Sequence, residues 1–272
     1  IGLSVGSEST VNVKATGAVQ INSSSNGSLY AEKKSTAKIN AGSIALSANS
    51  DNTSFATVVT ATSDGNIDLQ SDSDISIQNH YSRGGTAITV NNSGQVSMLA
   101  KNAISVLGSE SQAALMLNQN RKGSFNSQNG AITLTANNID LHGYVESSVL
   151  DRKDTNGIFL NANESLSIVG NNTDGAICAT KNSTLGFKAG TLNIENLNSE
   201  SRSSAVRLEK NSRLQTTLGA GQSTFKGVNG IYTNNGNPQL TILGNVEGTS
   251  SLKVQGTWNG IVGIDGSITT KD

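Results

Sequence analysis

Apolar and polar residues alternate along this chain in short bursts, and the bursts come in cycles. Each cycle opens on a small residue followed by a branched aliphatic one: Gly2-Leu3, Ser28-Leu29, Thr57-Val58, Ala87-Ile88, Ala114-Leu115, Gly157-Ile158, Ala176-Ile177, Ala205-Val206, Gly230-Ile231 and Gly260-Ile261. The cycles average about 29 residues, a period that marks a solenoid with one turn per repeat. Two further bursts complete a cycle. One set runs Ile67-Asp68-Leu69, Val96-Ser97-Met98 and Ile132-Thr133-Leu134; the next runs Ile75-Ser76-Ile77, Ile104-Ser105-Val106 and Ile139-Asp140-Leu141. A period of two is the mark of a strand with one buried face. Asn, Gly, Asp and Ser separate the bursts and supply turns through local hydrogen bonds and positive φ.

Three strands and three bends per cycle leave each strand to pair with its counterpart one cycle later, in parallel. The predicted fold is all-β: a right-handed parallel β-helix with three strands per rung and about ten rungs, near 45 Å long at about 4.8 Å per rung. Leu29, Val58, Ile88, Leu115, Ile158, Ile177, Val206 and Ile231 are expected to share one inward column. Two residues further on, Val5, Ala31, Thr60, Val90, Leu117, Leu160, Ala179, Leu208, Thr233 and Gly263 are expected to point inward too. Asn91, Asn118 and Asn161 follow at the next turn, where stacked amides can hydrogen-bond along the rod.

Two cycles depart from the mean. The one opening at Ala114 is long, with expected loop insertions near 121–128 and 142–156. The one opening at Gly157 is short and lacks a clear third strand, so a pinched rung is expected. Residues 1–272 otherwise read as a single β-helix, a fragment of a longer surface protein.

Composition narrows the function. Only 14% of the 272 residues are charged and the net charge is −1, so the surface is built from Ser, Thr, Asn and Gly and carries no basic stripe for nucleic acid. No apolar run reaches the roughly 20 residues that span a bilayer, so no membrane insertion by this segment is expected. The one cysteine, Cys178, reads as a buried small hydrophobe.

Repeat style carries a resemblance. Asn156-Gly157-Ile158 and Asn229-Gly230-Ile231-Tyr232-Thr233-Asn234-Asn235-Gly236 resemble the Gly-Ile phrases and Asn-, Ser- and Gly-rich turns of bacterial type V autotransporter passenger domains, the AIDA-like adhesins, and of filamentous haemagglutinin-like exoproteins. The resemblance covers essentially the whole chain. It implies a secreted β-helix on the bacterial cell surface, exported through an outer-membrane barrel. It carries over no ligand motif.

Catalytic patterns are sparse. Asp68, Asp72 and Asp74 lie close in sequence, but neighbouring cycles place Ser97 and Thr133 where Asp68 sits, so no acidic column develops of the kind a polysaccharide lyase or glycoside hydrolase needs. No Gly-x-Ser-x-Gly elbow accompanies His80 or His142, and no calcium nonapeptide occurs. No cofactor, metal or enzymatic activity is expected. The residues that stand out are two polar segments, each opening on a histidine after the third strand: His80, Tyr81 and Arg83, then His142, Tyr144, Asp151 and Arg152. Aromatic rings beside Arg, His and Asp are materials for gripping a sugar or a peptide. The expected function is adhesion, aggregation or biofilm formation, with a host glycan, a matrix protein or an identical rod as partner. The alternatives are a polysaccharide-cleaving β-helix enzyme and a spacer stalk.

Overall fold

A computed structural model describes residues 2–24, 27–49, 56–80, 85–108, 112–118, 130–149, 157–234, 236–244, 250–263 and 267–271. They form strands, turns and bends and no helix. Every strand pairing is parallel and joins a strand to its counterpart one cycle away, as the period-two bursts predict. The result is a parallel β-helix with three faces.

The second and third faces follow the sequence closely. Ile67, Val96, Ile132, Ile158 and Leu185 stack inward on the second face. Ile75, Ile104, Ile139, Leu166 and Leu192 stack inward on the third. All ten of these side chains are buried. Each contributes about 1.5–3 kcal/mol relative to an exposed position.

The corner after the first face is a two-residue turn with both central residues at positive φ. Lys33 and Lys34 (54° and 59°), Ser63 and Asp64 (51° and 65°), Lys181 and Asn182 (47° and 53°) and Lys210 and Asn211 (50° and 62°) occupy it on different rungs. The fourth-residue N–H closes three of these turns, from Ser35 to the Glu32 carbonyl at 3.2 Å, from Gly65 to the Thr62 carbonyl at 2.9 Å and from Ser212 to the Glu209 carbonyl at 3.1 Å. This is the type I′ geometry that Gly and Asn adopt most readily. Lysines hold it here because the strands on both sides are fixed by the rungs above and below. The corner between second and third faces is tighter. In the strands Ala131–His142, Gly157–Gly170 and Thr184–Asn196 the chain rounds it without leaving the β conformation. A Cβ on Gly190 would lie 2.3 Å from the Glu164 carbonyl oxygen of the previous rung, so the close stacking requires glycine there. Asparagine pairs stack along the rod at positions other than those expected, Asn163 donating to Asn137 at 2.9 Å and Asn259 to Asn229 at 3.1 Å.

The first face corrects several expectations. Its inward column runs Leu29, Val59, Ile88, Leu115, Val145, Ile177, Val206, Ile231. Val59 replaces the expected Val58, which is also buried but sits beside Ala87. Ile158 belongs to the second face, between Ile132 and Leu185, and Val145 takes the place predicted for it. The next inward column contains Ala61 and Ser147 where Thr60 and Leu160 were expected. Asn91 and Asn118 are opposite one another, but Asn161 stacks between Thr135 and Lys188 on the second face.

The shifts at Ile158, Leu160 and Asn161 have one cause. Residues 144–148, read from sequence as part of a loop insertion, are a first-face strand, Tyr144–Ser148, paired with the strands Ala113–Asn118 and Gly175–Thr180. With it in place the long and short cycles become two ordinary ones, and the rung at Gly157 is not pinched. The other expected insertion, 121–128, lies outside the described residues.

About seven turns are closed on all three faces, fewer than the ten predicted from counting phrases. The difference lies at the ends. Leu3, Val11, Val13, Val19 and Ile21 at the start, and Leu252 and Val254 near the finish, lack a covering rung and are only partly buried.

Candidate functional site

The residue after each first-face inward aliphatic points outward. On consecutive rungs this position holds Met116, Glu146, Cys178, Arg207 and Tyr232. Stacking at about 4.8 Å brings their side chains into one column. Arg207 is its centre. Its Nη1 donates to Asp174 Oδ1 at 2.9 Å, and its Nε and Nη2 donate to Glu209 Oε1 at 2.8 and 2.5 Å. Its guanidinium carbon lies 4.9 Å from the centroid of the Tyr232 ring, within cation–π range. Asn234 Nδ2 donates to Tyr232 Oη at 3.1 Å and holds the ring in place.

Two carboxylates, Asp174 and Glu209, hold this one guanidinium, with Glu146 two rungs away in the column, and the electrostatics follow. Burial opposes the Arg207 charge, but the hydrogen bond and charge of Glu209, with the charge of Asp174, outweigh it and raise the pKa. Glu146 is raised above its ordinary value, first by burial and then by the Asp174 charge. The Cys178 thiol is pushed up to about 12, chiefly by burial and then by Glu146 and Asp174, against the lowering effect of Arg207. A thiol held there stays protonated at neutral pH and is a poor nucleophile. Cys178 is buried, as its sequence context predicts, but within the outward column and outside the apolar core.

An open cleft of about 450 Å³ adjoins this column, lined by Ser201, Arg202, Arg207, Asn229, Tyr232, Asn234 and Asn259. Its floor is rigid, since the Asn229 amide donates to the Ser201 and Ser203 carbonyls at 3.1 Å each. A stacked ring and guanidinium beside several amides suit a hydroxyl-rich or peptide ligand.

The residues singled out from sequence are distributed differently. Tyr144 lies beside this column, two residues before Glu146 on the same strand: burial raises its pKa, followed by the charges of Glu146 and Cys178, against a hydrogen bond with Asn172. His142 ends a third-face strand, its Nε2 3.1 Å from Asp140 Oδ2. Gly143, at φ 130°, turns the corner between His142 and Tyr144, so the two side chains belong to different faces. His80 follows the third-face strand two rungs earlier, is exposed, and bonds Gln78 at 3.2 Å. Tyr81, Arg83, Asp151 and Arg152 lie outside the described residues. Asp68, one of the acidic trio, is paired with Lys38 at 3.0 Å on the preceding rung.

Sequence reading missed Glu146, Arg207, Glu209 and Tyr232. The signal was present one residue after each phrase, at Cys178, Arg207 and Tyr232, but it becomes a column only once Tyr144–Ser148 is seen as a strand. Among the described residues no group of three or more His, Cys, Asp or Glu is placed to hold a metal ion, and no helix is long and apolar enough to cross a membrane. No family model, curated protein or solved structure matches this chain.

Proposed function

We propose that this chain is an adhesive segment of a bacterial surface protein, a rod that binds glycans, matrix protein or identical rods through its lateral faces. The observation that carries this reading is the outward column from Glu146 to Tyr232. It fixes charged and aromatic groups on consecutive rungs, beside an open polar cleft and over a continuous core. Such a surface makes weak sideways contacts that add up when many copies are displayed. The third face supports it: Ala45, Ser76, Ser105, Asp140 and Ser167 form an outward row of short side chains, flat enough for another surface to lie against. The resemblance of the Asn-Gly-Ile turns to autotransporter passenger domains supports display at the cell surface.

The test is to display the chain on a non-adherent bacterium and measure autoaggregation and binding to glycan and matrix-protein arrays. The rod is expected to confer at least one of these, with a loss of several fold on Tyr232→Ala, which removes the stacked ring from the cleft. A folded, displayed rod that confers neither overturns the reading. Release of reducing ends or unsaturated sugars from a polysaccharide would favour the enzyme alternative.

A further inference from the structure

The second face carries a feature that the adhesive reading does not use. Four rungs place three outward columns side by side there. The central one reads Thr133, Phe159, Gly186, Gln215. On one side stand Ala131, Gly157, Thr184 and Arg213; on the other stand Thr135, Asn161, Lys188 and Thr217. Phe159 is thus an aromatic ring on an outward position, flanked by two positions with no side chain. A Cβ on Gly186 would meet its Cδ1 at 2.9 Å, and one on Gly157 would meet its Cζ at 3.3 Å. The ring therefore lies down on bare backbone instead of standing away from the sheet. The surrounding surface is a shallow groove of about 500 Å³ running along the rod axis.

The charges around this ring are of one sign. Lys188 and Arg213 are exposed, and neither is ion-paired to a carboxylate among the described residues, unlike Lys38, Arg207 and Lys226. The grid holds no acidic residue. Apart from Ala131 and the two glycines, its remaining members are Thr, Asn and Gln, donors and acceptors at about 4.8 Å intervals along the axis.

The geometry points to a binding site for an acidic polysaccharide, one uronic acid ring stacked on Phe159 and the chain running along the groove. A pyranose ring presents an apolar C–H face to an aromatic ring and hydroxyls at its rim. Asn161, Gln215, Thr133 and Thr217 surround the ring where those hydroxyls fall, and Lys188 and Arg213 are placed for the carboxylates. Successive rungs offer similar groups at a step comparable to one sugar, so a linear polymer can engage several at once. This site is on a different face from the Arg207 column and does not depend on it.

A flat ring over glycine also has a purely structural use, since an aromatic side chain shields the exposed backbone of a neighbouring glycine. The experiment separates the two. Calorimetric titration of the purified chain with oligogalacturonate is compared with its methyl ester and with a malto-oligosaccharide, alongside thermal melts. Binding to oligogalacturonate is expected, weakening with added salt. Phe159→Ala should weaken it about fivefold or more, and Phe159→Trp should retain it. Lys188→Glu and Arg213→Glu, at exposed positions where folding is undisturbed, should each weaken it and leave the melt unchanged. Tyr232→Ala should leave it intact. No binding to oligogalacturonate, equal binding to the neutral sugars, or a Phe159→Ala variant that melts lower yet binds equally well would each overturn the assignment.

Discussion

Ile158→Asp is expected to lower the unfolding free energy by about 5 kcal/mol, enough to unfold the rungs around it. Ile158 has no exposed surface and sits between Ile132 and Leu185 in the second-face inward column. The substitution removes aliphatic contacts on both sides, worth about 2–5 kcal/mol by comparison with large-to-small changes in other cores. It also buries a carboxylate where none of the stacked neighbours is a cation. In a solenoid each rung is stabilised by the two beside it, so the damage spreads through lost interfaces. Ile158→Val should cost about 1 kcal/mol. Asn193→Asp, outward and exposed on the third face, should shift stability by under about 0.5 kcal/mol. Denaturant melts followed by circular dichroism give all three values. Equal midpoints for Ile158→Asp and the parent chain would place the residue outside the core.

The second large effect is electrostatic. Arg207→Met should cost about 2 kcal/mol at neutral pH, because it leaves Glu209 without its cation. The Glu209 side chain is 9% exposed and that of Arg207 17%, so solvent compensates only in part. Asp174, at 53% exposed, contributes little to the loss. Glu146 behaves oppositely. Its folded pKa is raised, so the folded state resists ionising it, and stability falls as pH rises from the ordinary carboxylate value through the folded pKa. Glu146→Gln should therefore raise the melting temperature at pH 7. The advantage should shrink as pH falls through that window and vanish below the ordinary value of 4.5. Melts of both variants from pH 4 to pH 8 test the pair. An Arg207→Met chain as stable as the parent, or a Glu146→Gln advantage that grows toward acid, would mean that the cluster is solvated.

Much of the fold was legible because alternation on the second and third faces is strict. Ile67-Asp68-Leu69 and Ile104-Ser105-Val106 each bury two residues around one polar residue, and only a strand does that. The first face was harder to read. Gly157-Ile158 carries the small-then-aliphatic phrase, yet it opens a second-face strand, since a close-packed corner favours a small residue on either face. The strand Tyr144–Ser148 was hidden because it presents only Val145 as an apolar inward residue, with Ser147 taking the other place. Its Ser147 hydroxyl is buried without a hydrogen-bond partner, a local cost that no sequence pattern announces. The site was less legible still. Column membership depends on which residues lie one rung apart, and Glu146, Arg207 and Tyr232 are separated by whole cycles of sequence. His142 and Tyr144, two residues apart in sequence, are parted by the corner at Gly143.

The strand register places the Arg207 column on the first face and the Phe159 groove on the second. Paired cysteines test it most directly. Facing residues in neighbouring parallel strands lie about 4.8 Å apart, within disulfide reach. Thr133 and Phe159 are opposite one another on adjacent rungs. The double variant Thr133→Cys/Phe159→Cys should therefore form an intramolecular disulfide under mild oxidation, identified by mass spectrometry of the digested chain. The register implied by phrase spacing alone would instead put Phe159 opposite Cys178. A Phe159→Cys single variant that bonds to Cys178, together with a double variant that does not join positions 133 and 159, would contradict the account.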